Sequence, residues 1–190
     1  VRVRVLGAKP HLRDAVVHRL RLVLQRRLVL EVAPGVGSDV VLCEAPEALL
    51  LRALVMLGYH QDPEVLALIE RYVQTQLPDG GFVCRRLLAK KPHRKGCYRA
   101  SVAALLLGAE SSRRGVALPR TDQLVEYFLR RDVFFDSGDR TRLLVDGRPG
   151  WRSIDSFFPV EPMRVGLPLI VAALGVLGVG SHPSLHRAWE

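Results

Sequence analysis

The chain has too few cysteines to be held together by disulfides. There are three, Cys43, Cys84 and Cys97; the count is odd and the spacing fits no disulfide framework, which suits a reducing, cytoplasmic setting. Long apolar runs are also missing. The longest, VGLPLIVAALGVLGV from Val165 to Val179, is 15 residues and is interrupted by Pro168. A membrane span needs roughly 20, so a buried helix is expected there and no membrane span. The opening VRVRVLGAKPH has no apolar stretch before a small-residue cleavage site, so a secretory leader is not expected either. The chain begins at Val1 and stops at Glu190 just after a helix-start signal, so it is expected to be cut at one or both ends.

Several chemistries lack their motifs. There is no G-x-S-x-G elbow, and Ser101, Ser111 and Ser112 have no local His or Asp context. A P-loop and a dinucleotide fingerprint are absent. Acids are scarce as well: 19 Asp and Glu stand against 28 Lys and Arg, most of them Arg, for a net charge of +9. Such a surplus favours anionic partners, whether nucleic acid, phosphorylated small molecules or acidic proteins. Nearly half of the residues are apolar (48%), so a buried core is expected and global disorder is not.

What is present is helical periodicity. Pro10 opens an amphipathic segment to Glu31, with Leu12, Ala15, Val16, Leu20, Val23, Leu24 and Leu28 at three- and four-residue steps. An apolar helix is expected over Pro46–Leu57, closed by Gly58. Asp62-Pro63-Glu64 is a start signal for a one-sided helix to Gln76, since an acceptor, a fixed φ and an acid suit the positive helix end. The alternation then recurs. ALVMLGY (Ala53–Tyr59), AALLLGA (Ala103–Ala109) and AALGVLGV (Ala172–Val179) each end an apolar helix in Leu-Gly. A start signal follows each: Asp62-Pro63, then Thr121-Asp122, then His182-Pro183. The spacings, about 50 and 70 residues, are of the order of a stacked helical-hairpin repeat. A helix apolar all round must be covered, whereas an amphipathic one can face water, so an apolar inner layer and an amphipathic outer layer are expected. The whole chain, 1–190, reads as one all-α domain in which 134–162 is a long irregular loop, with room for a short hairpin.

The densest chemistry lies in QLPDGGFVCRRLLAKKPHRKGC, Gln76–Cys97. Cys84, His93 and Cys97 are soft ligands suited to Zn²⁺, and Cys43 is a candidate fourth. Neighbouring cations favour thiolates, yet the spacing is no recognised finger and cysteines are often simply buried. Arg85, Arg86, Lys90, Lys91, Arg94, Lys95 and Arg99 form either a phosphate grip or a solvated basic loop. Nucleic acid is a weaker reading, because only Phe82 and Tyr98 flank the charges as stacking platforms. Trp151, Phe157 and Phe158 either line an apolar ligand cavity or pin a loop to the core. Asp136, Asp139 and Asp146 suggest a cation site or plain solvated acids, and His60 a turn cap.

Gln76, Gly80 and Phe82 resemble the Q-x3-G-x-W repeat of squalene and other triterpene cyclases, with Phe82 in the Trp position. More closely, the chain is similar to the uncharacterised prokaryotic prenyltransferase/squalene oxidase repeat proteins. The likeness runs roughly from Leu42 to Glu190, through the Cys43 region before RALVMLGY, DGGFVC, the Cys97 helix entry and PGWRSIDSFFP. It implies an α/α-toroid-like arc of helical hairpins, with an isoprenoid diphosphate near basic groups at the cavity rim. The sequence departs from the catalytic patterns of that fold, having neither D-x-D-D nor D-D-x-x-D; the Asp, Cys and His of the zinc prenyltransferases are not located, and the helix pairs are too few for a closed ring. The leading expectation is a non-catalytic binding or scaffold module for an apolar small molecule or a protein partner. The alternative is a zinc-assisted enzyme acting on an isoprenoid diphosphate, with Cys84, His93 and Cys97 on the metal. Nucleic-acid binding through the basic loop is the third.

Overall fold

The computed structural model describes residue 18 and residues 44–82, 95–133, 135–136, 139–143 and 167–186. Five helices carry this part: α1 (Glu44–Leu54), α2 (Pro63–Val73), α3 (Tyr98–Arg113), α4 (Thr121–Leu129) and α5 (Leu167–Val176). A wide turn, Val55–Tyr59, prolongs α1, and Pro183–Leu185 forms a tight turn after α5. One short antiparallel hairpin, β1 (Phe135–Asp136) with β2 (Asp139–Leu143), follows α4. No helix among the described residues is long and apolar enough to cross a membrane. The amphipathic segment Pro10–Glu31 lies outside the described residues, apart from a helical turn position at His18.

The core is organised by α3. All but a few of its residues are buried, from Tyr98 through Ala100–Leu105 to Leu107–Ser111. Its composition explains this: Ala100, Ser101, Ala103, Ala104, Gly108 and Ala109 are small enough for neighbours to approach closely, while Val102, Leu105 and Leu107 fill the gaps. α1 packs on one side of α3 and α5 on another, α2 packs on α1, and α4 on α3. The three helices read as apolar are therefore consecutive neighbours, and the one-sided helices lie against them. α2 buries Val65, Leu68, Ile69, Tyr72 and Val73 and exposes Glu64, Glu70 and Arg71. α4 does the same with Leu124, Val125, Tyr127, Phe128 and Leu129 inward and Asp122, Gln123 and Glu126 outward.

Polar contacts show the directions of the helices. Arg114, just past α3, donates from Nη2 to the Met56 carbonyl at 3.2 Å, so α1 and α3 end together. Buried Glu110 neutralises that corner through Arg114 at 3.3 Å and Arg113 at 3.6 Å. Tyr98, at the start of α3, donates to the carbonyl of Val133 beyond the end of α4 at 2.8 Å. Thr121, at the start of α4, faces Gly108. α3 and α4 are thus an antiparallel hairpin.

The boundaries follow local chemistry with two differences. Asp62 caps α2 as expected, accepting from Glu64 N at 2.9 Å and Val65 N at 3.4 Å. His182 caps the last turn by accepting from Ser184 N at 3.2 Å. At α4, however, neither Thr121 nor Asp122 is the cap: Arg120 holds that position at φ 58, and the Thr121 hydroxyl donates backwards to Leu118 O at 2.8 Å. α5, although apolar all round, is not covered all round. Pro168, Leu169, Ala172 and Gly175 share one exposed face.

Removing volume from the centre of this stack should cost most. Leu105→Ala, at a fully buried position, is expected to lower unfolding free energy by about 2–5 kcal/mol, read from urea unfolding.

Candidate functional site: the stem of the basic loop

After α2 the chain makes a turn closed by side-chain and backbone hydrogen bonds, in which the buried Oε1 of Gln76 is left without a hydrogen-bond partner. Gln76 Nε2 donates to Gly80 O at 2.8 Å and to Arg120 O at 3.3 Å. Both acceptors are carbonyls, which fixes the amide orientation. Leu77 N donates to Gly81 O at 2.8 Å and Gly80 N to Leu77 O at 2.9 Å. Gly80 sits at φ +83, and a Cβ there would collide with the Gln123 carbonyl, so glycine is required on both counts. Phe82 then stacks on Tyr72, with ring centroids 4.8 Å apart and planes within 4°. The three positions resembling the cyclase repeat, Gln76, Gly80 and Phe82, are therefore the hydrogen-bonding, close-approach and stacking members of one turn.

The chain leaves this turn after Phe82 and is described again from Lys95. The two limbs are fastened together. Cys97 N donates to Phe82 O at 2.8 Å, and Phe82 N to Ser101 Oγ at 2.9 Å. Asp79 grips both limbs through its two oxygens: Gly81 N donates to Oδ1 at 3.0 Å and Gly96 N to Oδ2 at 2.7 Å. Gly81 and Gly96 touch so closely that a Cβ on Gly81 would lie 2.7 Å from Gly96 Cα. From α4, Tyr127 donates its hydroxyl to Gly96 O at 3.1 Å and Arg130 Nη2 donates to Asp79 O at 2.7 Å. The basic segment is thus anchored at a stem built from α2, α3 and α4.

Of the expected site residues, the structure brings Lys95, Cys97 and Arg99 together at the start of α3. Lys95 is exposed, while Cys97 and Arg99 are half-buried. Cys43, Cys84, Arg85, Arg86, Lys90, Lys91, His93, Arg94, Asp146, Trp151, Phe157 and Phe158 lie outside the described residues. Asp136 and Asp139 pair across the hairpin. His60 closes the Val55–Tyr59 turn, half-buried. Among the described residues no three His, Cys, Asp or Glu side chains gather as a metal site.

A cluster the sequence reading passed over stands beside the stem: Tyr98, Tyr127 and Arg131. Arg131 is buried, its Nε donates to Tyr127 O at 2.8 Å, and its guanidinium carbon lies 3.8 Å from the centre of the Tyr127 ring. Burial pushes the Tyr127 hydroxyl up to about 12, against the pull of the Arg131 charge. Burial raises Tyr98 further, reinforced by Tyr127 and opposed by Arg131. The i,i+4 spacing of Tyr127 and Arg131 was the signal available for this cluster.

No family model, curated protein or solved structure matches this chain.

Two outcomes test the stem. Asp79→Ala leaves Gly81 N and Gly96 N without their acceptor and should cost about 1–3 kcal/mol, with faster amide exchange at those two residues. In alkali the unfolded chain loses a tyrosine proton near 10, whereas folded Tyr127 holds its proton to about 12. The stabilisation is therefore complete below 10 and is lost as pH climbs through that window. Tyrosinate absorbance from the buried pair should rise together with the loss of helical circular dichroism.

Proposed function

We propose that the chain is a non-catalytic binding or scaffold module built as an arc of helical hairpins of the prenyltransferase/cyclase toroid type. Its inner helices would present an apolar surface to a small molecule. The observation that carries this reading is the row α1–α3–α5, together with the exposed apolar face Pro168, Leu169, Ala172 and Gly175 on its last member. An apolar helix left open to solvent on one side raises the free energy of the empty protein. In a toroid-like arc the inward face of such a helix lines the cavity, and an apolar ligand relieves that exposure. The Gln76–Gly80–Phe82 turn supports the same likeness.

A second reading, a zinc-assisted enzyme acting on an isoprenoid diphosphate, is favoured by one contact. Phe82 pairs with Cys97 across the stem, which sets the chain two residues before Cys84 opposite Cys97. The two thiols, with His93, would then hold the metal and the basic segment the diphosphate.

Mass spectrometry of protein purified without added lipid or zinc separates the readings. The module predicts a co-purifying apolar molecule, diminished in Ala172→Glu. Stoichiometric zinc that is lost in Cys97→Ser would favour the enzyme. Protein carrying no apolar molecule and binding no hydrophobic dye would rule out the module.

A further inference from the structure

We propose that the pocket between the end of α2, the middle of α3 and the entry to α4 binds the hydroxyl end of a short-chain alcohol, with Gln76 Oε1 as its hydrogen-bond acceptor. Gln76 is 7% exposed and lines this pocket. Its Nε2 is spent on the Gly80 and Arg120 carbonyls, which fixes the amide and leaves Oε1 buried without a hydrogen-bond partner. A buried acceptor in that state keeps its desolvation cost until a donor reaches it. Gly108 points to the same space. It stands within α3, where glycine weakens a helix relative to alanine. Yet its φ is not positive, and an added Cβ would meet nothing closer than Thr121 Cγ2 at 3.8 Å, an ordinary van der Waals contact. Neither dihedral nor close approach requires glycine there; what it leaves open is the pocket that it lines. Among the described residues none of α5 lines the pocket, so the site stands apart from the apolar face of that helix and does not rest on it.

The walls select the ligand. The surface of the pocket is almost wholly apolar, with Val73, Phe82, Ala104, Leu107, Leu118 and Leu124 among its lining. An amide oxygen repels an anion. The Arg120 guanidinium, which also lines the pocket and donates to Gln76 O at 3.4 Å, disfavours a cation. The ligand is therefore neutral and donates a hydrogen bond. The free volume is about 10 Å³, roughly the room that one water-sized group takes; this admits a hydroxyl and is too little for a carboxamide or a sugar ring. Water is the poorer occupant, because a buried water settles where roughly two to four polar groups meet it. An alcohol spends its one proton on Oε1 and turns its alkyl carbons to the apolar wall. That division, an apolar lining with one placed polar group, is usual in small-molecule sites.

The test titrates the nitrogen-labelled chain with ethanol and, separately, with acetonitrile, which has as many non-hydrogen atoms but no hydrogen to donate. The proposal expects ethanol to shift the Gln76 side-chain amide signals saturably, with a dissociation constant in the millimolar range that suits so small a ligand. Nuclear Overhauser contacts should join its methyl group to Leu107 and Leu124. Acetonitrile should bind about fivefold or more weakly, the worth of one hydrogen bond. Gly108→Ala should keep or raise the melting temperature and abolish the response to ethanol, since its methyl group takes up the space. Shifts that do not saturate, equal binding of acetonitrile, or a response undiminished in folded Gly108→Ala overturn the assignment, as does a water at Gln76 that ethanol does not displace. If Gly108→Ala does not fold, the contrast between ethanol and acetonitrile in the native chain decides.

Discussion

The described structure depends on a helix with no wet face. α3 cannot be stable in water by itself, because nearly every position from Tyr98 to Ser111 is buried. Burying its larger side chains contributes roughly 1.5–3 kcal/mol each, and only neighbours on several sides can supply that burial. α1, α4 and α5 do so, and α2 joins through α1. The small residues of α3 set how close these neighbours come, and the larger ones set which gaps they must fill.

The same helix places the stem. Its first turn carries Cys97 and Ser101, whose backbone and hydroxyl receive Phe82, while Tyr98 reaches across to Val133. The end of α4 returns Tyr127, Arg130 and Arg131 to the same corner. A carboxylate, Asp79, joins two glycine amides that no larger residue would allow so near each other. Hence the most hydrogen-bonded part of the described chain lies where a densely charged segment begins and ends.

Much of this was legible in the sequence, because burial leaves a periodic mark. The three Leu-Gly-terminated apolar stretches and their one-sided successors follow from the need to hide or wet a helix face. Asp62 and His182 were readable as caps because each precedes a proline. Arg120 was not, since a left-handed arginine carries no sequence signal, and the hydroxyl of Thr121 bonds backwards instead. The turn at Gln76–Phe82 was visible as a pattern, but its partners, Arg120, Gly96 and Tyr127, are remote in sequence. Arg131 was hidden for a related reason. In an arginine-rich chain nothing in the sequence marks Arg131, the buried arginine among the described residues, and its contacts with Tyr127 come only from the fold of α4.

Native-state hydrogen exchange tests the central role of α3 most directly. If its burial holds the described fold together, its amides exchange last and only through global unfolding, with a free energy equal to that from urea. The outer helices α2 and α4 should open earlier. Exchange in α3 as fast as in α2 or α4, or complete before global unfolding, would contradict the account.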